Sequence, residues 1–165
     1  MRLRAFIVSI ACLLGCSAVP DQTREGERPF SSLSAEELDI YEAVFRYQFG
    51  HNASGQQQDA PAYFISVFGN DPSETFLARF ADVHPPVRKG SEFKVGQGLA
   101  FSVGAIEMKG TDSAEVSGGY YEANLSASGN TYYVRRRDGQ WVCEREVMHW
   151  ISKTCAPSPS EVLLV

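Results

Sequence analysis

The last third of the chain contains four segments with the composition of β-strands, and this feature limits the fold most. The segments are residues 99–108, 114–126, 131–137 and 140–151, and links of hairpin length separate them. The link Asp138-Gly139 is a strong signal for a two-residue hairpin turn. Strands joined by such short links pair antiparallel. The sequence therefore predicts a four-stranded antiparallel meander.

The last segment also predicts which residues face the core. Successive side chains of a strand point to opposite faces. One face is therefore expected to carry the apolar residues Trp141, Cys143, Val147 and Ile151. The opposite face is expected to carry Glu144 and Glu146. This alternation is typical of a sheet that a helix covers on one side.

Two helix starts precede these strands. Ser34-Ala-Glu-Glu37 has the spacing of a capping box, in which the Ser34 hydroxyl accepts a backbone hydrogen bond and Glu37 reaches back. Apolar residues then recur at helical spacing before Gly50, which predicts a helix over residues 35–49. Asp71-Pro-Ser-Glu74 predicts a second helix with Asp71 as its N-cap. Between the helices, residues 62–68 have the composition of a short buried strand.

Helices followed by an antiparallel meander predict an α+β domain. The closing stretch Tyr132–Val142 contains a turn followed by Gly-x-Trp, and with it the segment from Ser34 to Ser152 resembles the NTF2-like and cystatin-like families. The resemblance implies N-terminal helices packed on a curved sheet of four to five antiparallel strands, with a cone-shaped pocket. It transfers no catalytic residue. A small β-barrel of the OB-like or lipocalin-like kind is the competing architecture, which the helical first half disfavours.

The N-terminus has the features of an export signal. Arg2 and Arg4 precede an apolar run over residues 5–14, which is too short to span a bilayer as a helix. The run ends in Leu13-Leu-Gly-Cys16, which resembles a bacterial lipobox. The resemblance implies removal of residues 1–15 as a signal peptide and lipidation of Cys16. Several acyl chains on one cysteine anchor a protein stably in a membrane.

The lipobox also predicts the location and the domain plan. In two-membrane bacteria, Ser17 after the lipidated cysteine indicates the outer membrane, with the protein on its periplasmic face. Residues 16–33 are rich in charge, Pro and Gly and are interpreted as a flexible tether. Residues 34–155 are interpreted as one α+β domain, and residues 156–165 as a C-terminal tail.

Charge excludes two classes of partner. Removal of Arg2 and Arg4 with the signal peptide changes the formal net charge from −5 to −7. Nucleic acids require a basic face that displaces counterions from phosphates. An acidic chain is equally unsuited to binding anionic lipid by charge. We therefore expect no nucleic-acid partner, and membrane contact only through the acyl chains of Cys16.

Two cysteines remain outside the signal region, Cys143 and Cys155. An even pair in a protein sent to an oxidising compartment favours a disulfide. The alternative is two separate thiols, because spacing alone does not show that the side chains meet.

Aromatic and basic residues on neighbouring strands suggest a ligand face. Tyr121 and Tyr133 lie on strands predicted to pair, and Arg135 continues the face of Tyr133. Aromatic planes beside a guanidinium suit a sugar ring or an anionic envelope glycan. The alternative is that the tyrosines are good strand formers and the arginines protect a sheet edge.

The sequence contains no catalytic or metal-binding pattern. His51, His84 and His149 lack the short paired spacing of a zinc site, and no Gly-x-Ser-x-Gly elbow occurs. No cofactor is expected. His149 is the one candidate general base, with Glu144 or Glu146 nearby in sequence. Strand alternation separates His149 from Glu144 and Glu146, which favours a structural histidine.

Three functional hypotheses remain open at this stage. The first is a non-catalytic, lipid-anchored envelope lipoprotein that binds a partner protein or a small envelope ligand. The second is a small NTF2-like pocket enzyme that uses an acid or base such as His149. The third is an inhibitor or assembly factor that pairs with a partner through a strand edge. The sequence leaves the oligomeric state undetermined.

Overall fold

A six-stranded mixed β-sheet forms the centre of the domain. The computed structural model describes residues 28–56, 59–123 and 126–153. The strands lie in the order β2-β1-β3-β4-β5-β6. Their bounds are β1 Tyr63–Val67, β2 Val87–Lys89, β3 Leu99–Met108, β4 Ser113–Ala123, β5 Ser126–Arg137 and β6 Gln140–Lys153. β1 is parallel to both β2 and β3, and β3 to β6 form the antiparallel meander.

The α+β class is confirmed, and the strand count and pairing are corrected. We expected four to five antiparallel strands, whereas the sheet has six strands of mixed direction. β2 has only three residues, Val87–Lys89, and is too short to give an alternating pattern. The parallel pairing of β1 with β3 joins residues about 36 positions apart in sequence, such as Tyr63 with Leu99. Pairing over such a distance has no local sequence signal, unlike a hairpin.

Helix α1, Ala35–Gly50, packs on one face of this sheet, here called the inner face. The predicted capping box is present, with the backbone N–H of Glu37 donating to Ser34 Oγ at 3.2 Å and Ser34 N donating to Glu37 Oε2 at 2.8 Å. The buried side of the helix consists of Ile40, Tyr41, Val44, Phe45, Gln48 and Phe49. This wide apolar side is typical of a helix that lies deep against a sheet.

Side chains fill the space between α1 and the middle of the sheet. Tyr41 Oη donates to the carbonyl oxygen of Gly104 at 2.8 Å, and Gln48 Nε2 lies 3.3 Å from the carbonyl oxygen of Gly119. A Cβ atom at Gly118 would lie 2.5 Å from the carbonyl oxygen of Ser102, so this position requires glycine. The small residue leaves room for the Gln48 amide above the strands. α1 therefore occupies the place where the family resemblance implied a cone-shaped pocket.

The second helix begins two residues later than predicted. α2 spans Glu74–Leu77 and continues as a 3-10 turn, and its N-cap is Ser73, whose Oγ accepts from the backbone N–H of Phe76 at 3.2 Å. Asp71 caps no helix and instead accepts two hydrogen bonds from Ser91. A serine adjacent to the first helical turn displaces the aspartate as the cap, because either side chain suits that role.

The turn between β4 and β5 is also shifted. We expected residues 127–130 to form a turn, but they pair with both β4 and β6 inside strand β5. β4 ends at Ala123 and β5 begins at Ser126, which pair with each other, and residues 124 and 125 lie outside the described residues. Ser128 and Asn130 are buried on the inner face, where turn-forming composition was misleading. The Asp138-Gly139 hairpin is confirmed, with positive φ values of 50° and 81° as in a type I′ turn.

Two bulges in β6 change the predicted alternation. Cys143 pairs with Val134 and Arg145 pairs with Tyr133, so Glu144 is an extra residue in β6. Directly paired residues share a face. Trp141 and Cys143 face inward as expected. After the extra residue Glu144, the side chains that follow lie on the face opposite to the one predicted, up to the second bulge.

The reversal moves two of the predicted side chains to opposite faces. Val147 pairs with Thr131 on the face opposite α1, here called the outer face. Glu146 lies on the inner face and accepts a 2.7 Å hydrogen bond from Asn130. The second bulge, at His149, returns Ile151 to the inner face beside Ser128. The expected faces are therefore wrong for Val147 and Glu146.

Residues 28–33 belong to the segment interpreted as a tether, and they contact the domain. Phe30–Ser32 forms a 3-10 turn, and the Phe30 ring packs edge-to-face on Phe76 at 5.5 Å. Arg28 forms an ion pair with Glu37. Residues upstream of the predicted domain start at Ser34 thus pack on the domain. Neither described helix has the length and hydropathy of a membrane-spanning segment.

Candidate functional site

Exposed apolar side chains concentrate on β6, the long edge strand of the sheet. Among the described residues, seven large hydrophobic side chains are exposed, and five of them lie on β6. These five define the β6 surface: Val142, Val147, Met148, Trp150 and Ile151. Their exposed fractions range from 37% to 56%. Single exposed apolar residues are normal, but a contiguous group marks an interaction site, and four of the five lie within residues 147–151.

Trp150 is the most exposed member of the β6 surface, at 56%. It pairs with Gly129 on the outer face. A Cβ atom at position 129 would lie 2.2 Å from Trp150 Nε1, so the indole occupies the space above the glycine. Glycine at this position therefore lets the indole lie against the sheet while more than half of its surface remains accessible.

The β6 surface includes residues of both faces of the strand. Val147 and Trp150 belong to the outer face, whereas Met148 and Ile151 pair with the inner-face residues of β5. Beyond α1, the inner face of β6 is thus not fully covered. Four of the five residues in the run Val147-Met-His-Trp-Ile151 are apolar, in contrast to a strand with one polar face. This signal was present in the sequence, and the sequence analysis missed it.

His149 lies on this strand but has no catalytic surroundings in the structure. Its side chain is exposed, and Nε2 lies 2.8 Å from Thr131 Oγ1 on the outer face. Glu144 is paired with Arg137, and Glu146 is bonded to Asn130 on the inner face. Neither carboxylate therefore orients the imidazole. The three cavities described for this domain are lined by other residues.

The predicted ligand face is only partly assembled. Tyr133 and Arg135 share the outer face of β5, as expected. Tyr121 lies on the same face but pairs with Ala127, six residues from Tyr133 along β5, a distance of about 20 Å. The guanidinium of Arg145 lies 3.4 Å from the centre of the Tyr133 ring. Arg145 therefore already covers the phenol face that was expected to stack on a sugar.

Cys143 is buried on the inner face, and its burial raises the pKa of the thiol to about 12. Cys155 and the lipidation residue Cys16 lie outside the described residues. A disulfide requires Cα atoms within about 7 Å. β6 carries the chain about 30 Å from Cys143 by Lys153. The Cys143–Cys155 bridge stays a prediction, and it would require the end of β6 to leave the sheet.

The charged residues on the exposed side of α1 form ion pairs. A cavity of about 380 Å³ between α1 and the β5–β6 hairpin is lined by Asp39, Glu42 and Arg46 among others. Arg46 binds Glu42 and Asp82, and Arg79 binds Asp39 and Glu42. Within the described ranges no group of three metal-ligating side chains occurs.

Comparison with known proteins adds no assignment. No protein-family model matches the chain, and searches of curated proteins and of solved structures find no match. The functional inference therefore depends on the β6 surface and on the sequence of the N-terminus.

Proposed function

We propose that the protein is a non-catalytic, lipid-anchored envelope lipoprotein whose β6 surface binds a partner protein. The observation that carries the proposal is that, of the seven large hydrophobic residues exposed in the described part of the chain, five lie on the edge strand β6. A long apolar edge is a template for pairing with another chain, and natural sheets normally block it.

Strand addition is the binding mode that suits this edge. An extended segment of the partner would hydrogen-bond to the open backbone side of β6 and place its side chains on both faces. The apolar residues on both faces of β6 favour a partner segment that is apolar throughout. The nearby charged side chains have partners within the domain, because Glu144 pairs with Arg137 and the Arg145 guanidinium lies over the Tyr133 ring. The interface is thus expected to be mainly apolar.

The proposed lipid anchor at Cys16 is supported by the sequence of the N-terminus. Residues 1–16 have the basic start, apolar run and terminal cysteine of a lipobox, and Ser17 favours the outer membrane and its periplasmic face. Labelling with a radioactive fatty acid is expected to mark the protein, and Cys16→Ala is expected to abolish the label and release the protein from membranes. An unlabelled protein that stays in the cytosol would refute the anchor.

We also propose that the domain has an NTF2-like architecture. A long helix on the inner face and the closing hairpin at Asp138-Gly139 support it. The parallel strands β1 and β2 are an addition to the expected meander. Catalysis by His149 has less support, since the imidazole is exposed and bonded to Thr131.

Photo-crosslinking in intact cells tests the proposed docking surface. A photoreactive phenylalanine analogue is introduced at Met148 or Ile151, and at Val95 as a matched control, because Val95 is 60% exposed and lies outside β6. We expect a discrete adduct with one other envelope protein at positions 148 and 151, and none at position 95. Equal adducts at all three positions, or none at β6, would contradict the proposal. An adduct of twice the chain mass would show a second copy as the occupant instead.

A further inference from the structure

A second cavity lies on the outer face at the opposite side of the sheet, and it is independent of the β6 surface. Its volume is about 390 Å³. It lies where the chain leaves the carboxyl ends of the parallel strands β1 and β2, between residues 69–71 and residues 90–93. Loops at the carboxyl ends of parallel strands commonly form ligand crevices.

The two loops are held together by specific hydrogen bonds. Ser91 donates to Asp71 through its backbone N–H at 2.8 Å and through its hydroxyl at 2.6 Å. The loop after β1 contains Phe68 and Gly69 with φ values of 50° and 72°. A positive φ at a phenylalanine costs backbone energy, and such residues often accompany binding sites. These hydrogen bonds connect the two loops that form the walls of the cavity.

Aromatic rings form part of the cavity wall. Phe64 lies on the sheet, and its ring centre is 5.5 Å from that of Phe93. The ring centre of Phe93 is also 5.7 Å from that of Tyr121. Tyr121, one of the residues predicted to form a ligand face, thus supports this wall. Phenyl rings attract cations through their faces.

The polar groups of the cavity are mainly hydrogen-bond acceptors. Ser66, Asn70 and Asp71 line it, and the lining residues include no Lys, Arg or His. Asn70 donates through Nδ2 to the carbonyl oxygens of Arg28 and Phe68. Its Oδ1 atom and Ser66 Oγ accept no hydrogen bond from the described residues. The Asp71 carboxylate retains further acceptor capacity after its two bonds to Ser91.

We propose that this cavity binds a small aliphatic molecule that carries a primary ammonium group. An ammonium group offers three donors and no acceptor, which matches Ser66, Asn70 and Asp71. Its charge complements the Asp71 carboxylate, and the partly exposed ring of Phe93 lies in the same cavity. An anion would meet the Asp71 carboxylate, and the Lys89 ammonium, which lies close enough to interact with Asp71, is already paired with Glu74. A purely apolar ligand would leave the acceptors unpaired.

Titration of the full-length protein with 1,5-diaminopentane tests the proposal, with 1,5-pentanediol as the neutral analogue and glutarate as the anionic one. NMR or calorimetry is expected to give saturable binding of the diamine with a Kd on the order of 1 mM, and no saturation by the other two. Perturbed resonances are expected at residues 66–71 and 90–93. Diol binding as tight as diamine binding, or no saturable diamine binding, would overturn the proposal.

Two substitutions with the same change in charge separate a specific site from general attraction to an acidic protein. Asp71→Asn retains an oxygen for the Ser91 backbone and is expected to weaken diamine binding about tenfold. Asp112→Asn, in the exposed β3–β4 turn, is expected to leave the Kd unchanged. Equal losses in both variants would refute the site.

Ser66→Ala provides a second test that does not alter the Asp71–Ser91 contact. We expect it to weaken diamine binding severalfold, because one of the acceptors is removed while the net charge stays the same. Thermal unfolding followed by circular dichroism checks that each variant is folded. An unchanged Kd in a folded Ser66→Ala protein, together with an unchanged Kd in Asp71→Asn, would overturn the assignment of this cavity.

Discussion

The two edges of the sheet are built in opposite ways. The β2 edge has three residues, of which Arg88 is exposed and Lys89 is paired with Glu74. The β6 edge has fourteen residues and carries the five exposed apolar side chains of the β6 surface. Short strands and charges are the usual protection against edge-to-edge pairing. Within the described residues, one edge carries this protection and the β6 edge pairs only with β5, which is why we propose partner binding at β6.

The same contrast exists within β6 itself, between its two tryptophans. Trp141 is 9% exposed and lies beneath the Arg136 guanidinium, 4.8 Å from the centre of the ring. Trp150 is 56% exposed and lies above Gly129. One end of the strand therefore stabilises the domain, and the other end presents a surface.

The largest expected effect is that of Trp141→Ala. Removal of a buried indole from the inner face is expected to lower the free energy of unfolding by about 3–5 kcal/mol, measured by urea denaturation. The matched variant Trp150→Ala is expected to cost less than about 1 kcal/mol, because most of its ring contacts solvent. Similar losses in both variants would mean that the two ends of β6 are equally structural.

A charge on each edge tests the comparison between β6 and β2. Ile151→Lys is expected to reduce the partner adduct at position 148 at least tenfold, because an apolar strand would have to bury an unpaired ammonium. Arg88→Glu on the β2 edge is expected to leave the adduct unchanged. Both variants should retain the stability of the original protein within about 0.5 kcal/mol. Loss of the adduct in Arg88→Glu would place the partner elsewhere.

The smallest expected effect concerns residues 28–33, which contact the domain through Phe30 on Phe76 and through the ion pair of Arg28 with Glu37. The hydrogen bond from the Arg28 guanidinium, with support from Ser34, lowers the pKa of Glu37 below its ordinary value of 4.5. The carboxylate form is therefore favoured in the folded protein. This contribution is complete above the ordinary pKa and is lost as the pH falls through the lower pKa of the folded state.

Glu37→Gln is expected to lower the thermal unfolding midpoint by a few degrees at about pH 7 and by less at about pH 3. Scanning calorimetry over that range measures the difference between the two proteins. The effect is small because Arg28 and Glu37 are partly exposed and solvent screens the pair. A difference that grows on acidification would contradict the assigned direction of the Glu37 pKa.

The reliable sequence predictions concern contacts between neighbours in the chain. The capping box of Ser34 and Glu37 and the hairpin turn at Asp138-Gly139 form as expected, because all of their groups lie within a few residues. The predicted N-cap at Asp71 is wrong by two residues, since its carboxylate binds Ser91, twenty residues away. Long-range competition of this kind has no signature in a local pattern.

The candidate site shows the same division. Tyr133 and Arg135 were placed correctly on one face, because residues two apart in a strand share a face. Tyr121 was placed wrongly beside them, because the turn between β4 and β5 lies closer to Tyr121 than the Ser-Gly-Asn composition suggested. The bulge at His149 sets Trp150 above Gly129, and the alternation of apolar residues does not indicate a bulge.

The sequence by itself determined the α+β class, the capping box at Ser34 and the hairpin at Asp138-Gly139, because each depends on residues close together in the chain. Only the tertiary structure decided the parallel pairing of β1 with β2 and β3, the two bulges of β6 and the exposure of its apolar residues. The physical reason is that these features follow from which distant segments compete for the same sheet edge and the same helix face.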